Sequence, residues 1–254
     1  MKICFITSGT KEADVESSKF QEKYGQYSFQ DADVVVVFGG DGLILRVLHK
    51  IISLNRNIPI YAMNMGNLGF LANIFDKQND LIEKIESATQ TRFHPLKMIA
   101  KLNGDQIIEE YAINEIYLFR QSHQAAKIRV CVNDITRLSE FVGDGIIYSS
   151  PVGSTAYNYS SHGPILPIDS SLIALTPISP FRPKSLNSAI LDDKSIIRFE
   201  ILENKKRPVN IIADFIEYQD ILEAKVQVDF SKTLTLLFDK DNQLTEKIMH
   251  EQFS

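Results

Sequence analysis

The sequence predicts two domains of different class: a doubly wound α/β domain over residues 1–95 and a mostly antiparallel β domain over residues 96–238. Three observations predict this. Short apolar runs alternate with helix-period segments up to Pro95, the pattern changes to period two beyond it, and glycine-rich turns follow the apolar runs of the first part. The remaining stretch, Asp239 to Ser254, is charged and is either a helix packing back on the body or a frayed tail.

The elements follow in order. Lys2 to Ile6 reads as a strand that ends at Thr7-Ser8-Gly9, and the polar stretch from Glu12 to Tyr24 as a helix. Val34 to Phe38 is a continuous apolar run, the signature of a strand buried on both faces. After it, Ile44, Val47, Leu48 and Ile51 recur at helical spacing and make one apolar face. Ile58 to Met63 reads as another strand, and Leu81, Ile82, Ile85 and Ala88 mark another helix. An α/β order of this kind collects its ligands at the carboxyl ends of its strands.

Beyond Pro95 side chains alternate. Ile128, Val130 and Val132 alternate with Lys127, Arg129 and Cys131, and Ile197, Phe199 and Ile201 with Ile196, Arg198 and Glu200. Val226, Val228 and Phe230 lead through Ser231-Lys232 to Leu234, Leu236 and Phe238, which reads as a hairpin inside the β domain.

Bulk properties bound the function classes. A chain of 254 residues with 44% hydrophobic content can bury a substantial core. A net charge of -5 and a pI near 5.6 argue against a nucleic-acid footprint, and the compact basic run Lys205-Lys206-Arg207 reads as a solvated turn. No apolar stretch approaches the roughly 20 residues that span a bilayer, and the first residues enter a strand rather than a signal sequence, so a cytoplasmic location is expected. Cys4 and Cys131 are too few for a disulfide framework and read as small core residues.

Two turns lie at the carboxyl ends of predicted strands: Gly39-Gly40-Asp41-Gly42, and Asn64-Met65-Gly66-Asn67-Leu68-Gly69. Glycines let a ligand approach the backbone, and a turn opening a helix offers N–H groups to a phosphate. Neither turn matches GxxxxGK[ST] or a spaced GxGxxG, so a different phosphate-binding scheme is required. Asp41 reads either as a helix N-cap, contributing about 1 kcal/mol, or as a carboxylate facing a hydroxyl nucleophile or a Mg²⁺-bound phosphate.

In the second half, Asp144 to Tyr157 sets an acid-glycine turn before a strand and the hydroxyl-rich loop Gly153-Ser154-Thr155 after it. That loop either bonds to itself or offers donors to a ligand, with Tyr157 available to stack on a ring or bond a sugar. Asn114-Glu115 interrupts the apolar run from Ala112 to Phe119, so its partner is either an internal network or a ligand ribose.

Taken together, Gly39 to Gly42, Asn64 to Leu71, Asn114-Glu115 and Asp144 to Tyr157 with Ser160 and Gly163-Pro164 closely resemble the NAD kinases, in order and in interval. The resemblance covers most of the chain. It implies transfer of the γ-phosphoryl of ATP, in some members of inorganic polyphosphate, to the 2′-hydroxyl of the adenosine ribose of NAD, giving NADP. It implies Asp41 as the general base, with Gly39, Gly40 and Gly42 contacting phosphate donor and NAD, and Arg46 neutralising phosphate charge. Asn64, Gly66, Leu68, Gly69 and Phe70 join the nucleotide site by the same resemblance. Asn114 and Glu115 hold NAD, and Asp144, Gly153, Ser154, Thr155, Ala156, Tyr157 and Ser160 line its site. Mg²⁺ held mainly through ATP phosphates, and a homodimer or homotetramer, are also implied. The chain departs from the family at Asp214-Phe215-Ile216, where many members carry Asp-Gly-Gln, and at Val142, often an Arg.

Two other readings share the GGDG turn or the dinucleotide site. Lipid kinases of the diacylglycerol and sphingoid type carry a similar turn but leave the Asn-Glu and Gly-Ser-Thr-Ala-Tyr motifs unexplained. A non-catalytic sensor would bind NAD or NADP without forming a 2′-phosphorylated product.

Overall fold

In the computed structural model, which describes residues 1–66, 69–75, 80–241 and 244–252, the early apolar runs become parallel strands. β1 (Ile3–Thr7), β2 (Val34–Phe38) and β3 (Ile60–Met63) lie side by side, Ile3 opposite Val34 and Val35 opposite Ile60. Helix α1 (Lys11–Tyr24) opens at Thr10, whose hydroxyl accepts the Ala13 N–H and supplies the cap that a polar helix needs. Helix α2 (Asp41–Ser53) buries Ile44, Val47, Leu48 and Ile51, the stripe expected from their spacing. Helix α3 (Leu81–Ser87) is capped by Asp80, which accepts from Ile82 and Glu83, and β4 (Thr89–Phe93) closes this part.

The chain then builds two six-stranded antiparallel sheets. In order come β5 (Leu96–Leu102), β6 (Ile107–Ala112), β7 (Glu115–Arg120), β8 (Ala126–Val132), β9 (Ile135–Gly143) and β10 (Gly145–Ser149). A 3₁₀ turn over Val152–Thr155 and helix α4 (Tyr157–Ser160) separate these from β11 (Leu172–Ile178) and β12 (Ala189–Asp192). β13 (Ile197–Ile201), β14 (Val209–Ala213), β15 (Ile216–Tyr218) and β16 (Ile221–Val228) complete the set. One sheet runs β12-β11-β10-β7-β14-β15 and the other β6-β5-β16-β13-β8-β9. Ile116, Leu118, Ile146 and Ile211 of the first meet Met98, Val130, Phe199 and Val226 of the second in one apolar core. Residues 94–230 form this compact unit.

Residues 231–254 return to the first unit and join residues 1–93. β17 (Leu234–Phe238) pairs in parallel with β3 and antiparallel with β4, so the sheet order is β1-β2-β3-β17-β4. The hairpin expected across Ser231-Lys232 is therefore not formed, and residues 234–238 leave the β domain. All five residues of β17 are buried, as in β2, which is the mark of a strand covered on both faces rather than of an alternating hairpin arm. Helix α5 (Leu244–Gln252) follows and buries Leu244 and Ile248, so residues 244–252 of the charged tail are a helix. Among the described residues no helix is long and apolar enough to cross a membrane.

Candidate functional site

In the first unit the site begins where β2 ends. Gly39 is buried and its N–H bonds to the Met63 carbonyl at 3.1 Å, which holds the turn against the end of β3. Gly40, not Asp41, is the N-cap of α2, in extended backbone and with no capping side chain. Asp41 is the first helical residue. Its carboxylate instead accepts two N–H groups from another loop, Oδ2 from Phe70 and Oδ1 from Leu71, each at 2.9 Å.

That loop is itself fixed at both ends. The Asn64 N–H bonds to the Asn73 carbonyl at 2.9 Å, and Asn64 Oδ1 accepts from Gly66 at 3.0 Å. Buried Asn73 donates through Nδ2 to the carbonyls of Ala62 and Leu237 and accepts the Asp239 N–H, so it stitches the loop to β3 and β17. Gly69 passes so close to Asn64 that a Cβ there would lie 2.8 Å from Asn64 Cγ. On the far side of the loop, Lys247 of α5 donates to the carbonyls of Gly69, Phe70 and Ala72 at 3.2, 3.2 and 2.5 Å. Burial lowers the pKa of this ammonium and the charge of Asp41 raises it in part.

In the second unit the site is built on β7. Period two sends Ile116 and Leu118 into the core and puts Glu115 and Tyr117 on the opposite face. Glu115 is 6% exposed, and its Oε2 is buried with no hydrogen-bond partner among the described residues. Burial, and then the charge of Asp214, push its pKa from the ordinary 4.5 up to about 8. The turn in front of it is held by Asp214, whose carboxylate accepts the N–H groups of Ile113, Asn114 and Glu115 at 2.7, 2.9 and 3.3 Å. Asp214 takes φ +53° between β14 and β15, a position that Asp tolerates better than most residues.

The hydroxyl-rich loop packs on this turn. A Cβ at Gly153 would stand 2.2 Å from the Asn114 carbonyl oxygen, so only glycine fits. Ser154 is fully buried, donates to the Pro151 carbonyl at 2.7 Å and accepts from Leu166 at 3.0 Å, so its hydroxyl is used internally. Asn158 bonds Ser154, Pro164 and Thr176 and fixes α4. The Tyr157 ring then meets Tyr117 edge-on at 5.0 Å. Burial raises the pKa of both phenols. Tyr157 and Ser160 line an open cavity of about 850 Å³ with Lys184 and Asn187. Asp144 is held by Arg120 at 2.6 Å, each side chain about one-third exposed.

The first unit thus presents a carboxylate on backbone amides after a parallel strand, and the second a buried acid on an antiparallel sheet. Residues 6–93 match the family model of the ATP-NAD kinase N-terminal domain, and residues 113–237 that of the ATP-NAD kinase C-terminal domain. An NAD kinase of Xylella fastidiosa is 42% identical over 253 residues, covering 100% of this chain and 96% of the relative. The chain belongs to the NAD kinase family. An NAD kinase of Brucella melitensis is 43% identical over 249 residues, covering 98% of this chain and 96% of that protein. The fold agrees with that of yeast NADH kinase complexed with NADH, with a TM-score of 0.83 at 22% identity over 100% of this chain and 87% of that one. It agrees also with an NAD kinase from Archaeoglobus fulgidus in complex with ATP, with a TM-score of 0.77 at 20% identity over 99% of this chain and 98% of that one.

Within the NAD kinase motifs, the first unit brings Asp41, Gly69 and Phe70 together, and the second brings Asn114, Glu115, Gly153 and Tyr157 together. Arg46, Gly42 and Gly66 are exposed, Thr155 and Ala156 are half-buried, and the hydroxyl of exposed Ser160 donates to the Ala156 carbonyl at 3.4 Å. Leu68 lies outside the described residues. Four participants were not anticipated: Lys247, Arg120, Tyr117 and Asp214 in its role on the Asn114-Glu115 turn. Only Tyr117 carried a local signal, its two-residue spacing from Glu115.

Proposed function

We propose that Asp41 is the general base with which this member of the NAD kinase family moves the γ-phosphoryl of ATP onto the 2′-hydroxyl of the adenosine ribose of NAD. The observation that carries this reading is the hold on the carboxylate. Each Asp41 oxygen accepts one backbone N–H at 2.9 Å, which sets its direction and leaves each oxygen a further lone pair for a hydroxyl proton. A ribose hydroxyl is a weak nucleophile near neutral pH, and a carboxylate within about 2.6–3.2 Å accepts its proton as the bond to phosphorus forms. The O2′–Pγ bond forms, the bond from Pγ to the ADP oxygen breaks, and the proton passes to Asp41. Because the transition state is loose, positioning and charge neutralisation matter more than base strength.

Gly40 and Gly42, where a Cβ would meet none of the described residues within 4 Å, leave room for phosphate at the α2 N-terminus, and exposed Arg46 adds charge there. In the second unit Glu115, with its unpartnered Oε2, takes a ribose hydroxyl of NAD. Asn114, Asp144, Thr155, Ala156, Tyr157 and Ser160 complete that grip. Among the described residues no group of three or more His, Cys, Asp or Glu stands together. The divalent cation of this reading would be carried mainly on ATP phosphates and water. Mg²⁺ so bound would neutralise phosphate charge. β6, β9, β12 and β15 stand at sheet edges, which supports assembly as a homodimer or homotetramer.

The test is direct. Purified protein with NAD, Mg²⁺ and either ATP or polyphosphate should form NADP. Tight NAD binding with no 2′-phosphorylated product would replace this reading with that of a dinucleotide sensor.

A further inference from the structure

Two consecutive peptide groups stand between Lys247 and Asp41. The first joins Gly69 to Phe70: its C=O accepts from Lys247 at 3.2 Å and its N–H donates to Asp41 Oδ2 at 2.9 Å. The second joins Phe70 to Leu71, again with C=O on Lys247 at 3.2 Å and N–H on Asp41 Oδ1 at 2.9 Å. In a trans peptide the C=O and N–H point in opposite directions, so both groups lie with their positive ends on the carboxylate and their negative ends on the ammonium. The third Lys247 donor goes to the Ala72 carbonyl at 2.5 Å, so each of its three N–H groups has an acceptor.

The ammonium is fixed from its own side as well. Leu244 and Ile248, 1% and 3% exposed, anchor α5 on either side of it, and Lys247 Nζ lies 5.6 Å from the Phe238 ring centroid at the end of β17. A half-buried charge donating to three carbonyls of one loop is an uncommon use of a lysine, because most keep the ammonium in water. Hydrogen bonds in series polarise one another, so a cation at one end of a peptide strengthens the bond that its N–H makes at the other.

We propose that Lys247 is a positioning residue for phosphoryl transfer: through the 69–70 and 70–71 peptide groups it orients the Asp41 carboxylate toward the acceptor hydroxyl. The inference rests on the reading of Asp41 as the base. It gives the C-terminal helix a catalytic duty that no local sequence feature announces, since Lys247 touches neither Asp41 nor, by this reading, either substrate.

Steady-state kinetics of Lys247→Met, Lys247→Arg, Asp41→Asn and the double variant Asp41→Asn/Lys247→Met test it. Lys247→Met should lower kcat about tenfold, short of the ~100-fold that a displacement of ~1 Å at a reacting group can cost. KM for NAD should stay within about twofold, because the grip on NAD is untouched. Lys247→Arg, which keeps the charge and the donors, should recover most of the rate, and the double variant should be no slower than Asp41→Asn alone. Amide exchange at Phe70 and Leu71 should quicken in Lys247→Met, a readout independent of turnover. Should Lys247→Met not fold, Lys247→Gln, which retains two neutral donors, serves in the same comparison. An unchanged kcat in Lys247→Met beside a crippled Asp41→Asn would overturn the proposal alone, as would a double variant slower by the product of both effects. Near-normal turnover of Asp41→Asn would remove the base assignment and this proposal with it.

Discussion

Asp214 accepts the backbone N–H of Glu115 at 3.3 Å while its charge, after burial, opposes ionisation of the Glu115 side chain. One carboxylate thus builds the turn that presents the other and adds to the effect of burial on its protonation. With Glu115 raised from 4.5 to about 8, the folded chain holds this proton more tightly than the unfolded chain. The stability it contributes is fully present below the unfolded value and is lost as pH rises through the folded one. Over that window the loss has an upper limit of about 5 kcal/mol, from ~1.4 kcal/mol per pH unit. Chemical denaturation of the unliganded protein should therefore show stability falling from about pH 5 to about pH 8, and Glu115→Gln should flatten the fall. An equal slope in both proteins would assign the pH dependence elsewhere.

NAD affinity should move the other way. A ribose hydroxyl that donates to the unpartnered Glu115 Oε2 favours the carboxylate over the acid, so binding releases a proton. Affinity should rise from about pH 6 toward pH 8, by up to ~10-fold per unit while Glu115 is still protonated. Glu115→Gln should bind NAD more weakly and with little pH dependence. Calorimetry in two buffers of different ionisation enthalpy counts the proton, and a count of zero would make the Glu115 acid a hydrogen-bond donor instead.

Glycines of the two units should fail for different reasons. Alanine at Gly153 would set a Cβ 2.2 Å from the backbone oxygen of Asn114, and backbone cannot step aside cheaply. We expect Gly153→Ala to cost about 1–3 kcal/mol or more of stability, the range of an overpacked core, and to weaken NAD binding with it. At Gly42 a Cβ meets none of the described residues within 4 Å, and alanine suits the first turn of α2. Gly42→Ala should thus melt no lower than the parent yet raise KM for ATP if phosphate approaches this backbone. A normal KM would place the phosphate away from Gly42.

The elements up to residue 88 and the antiparallel character of the second unit were legible because period 3.6 and period two are written locally, whereas polar, largely exposed β4 gave no such signal. β17 was not legible either. Its continuous apolar run, Leu234 to Phe238, suits a covered strand in either unit, and only its pairing with β3, far back in the chain, decides between them. The site divides in the same way. A carboxylate among three glycines announces itself, as does a polar pair in an apolar strand. What holds them does not: Lys247 acts on Phe70 across 177 residues and Asp214 on Asn114 across 100, with no spacing rule to connect them.

Replacing Asp41 with asparagine tests the base most directly, and the structure adds a second expectation. Asparagine has one acceptor oxygen, so it keeps only one of the two N–H bonds now made to Phe70 and Leu71, and its NH₂ confronts the other donor. It also cannot accept a proton near neutral pH. Turnover should fall about 100-fold or more, the usual range for loss of a general base, while Kd for NAD changes little if the main grip on NAD is the proposed one at Glu115. A stability loss of about 1–3 kcal/mol should accompany it, the cost of an unpaired donor. Asp41→Ala frees both N–H groups and should lose more stability than Asp41→Asn with a similar loss of rate. Should the two rates instead follow the two stabilities, the hold on the 69–71 loop, and not the proton acceptor, would be what Asp41 supplies.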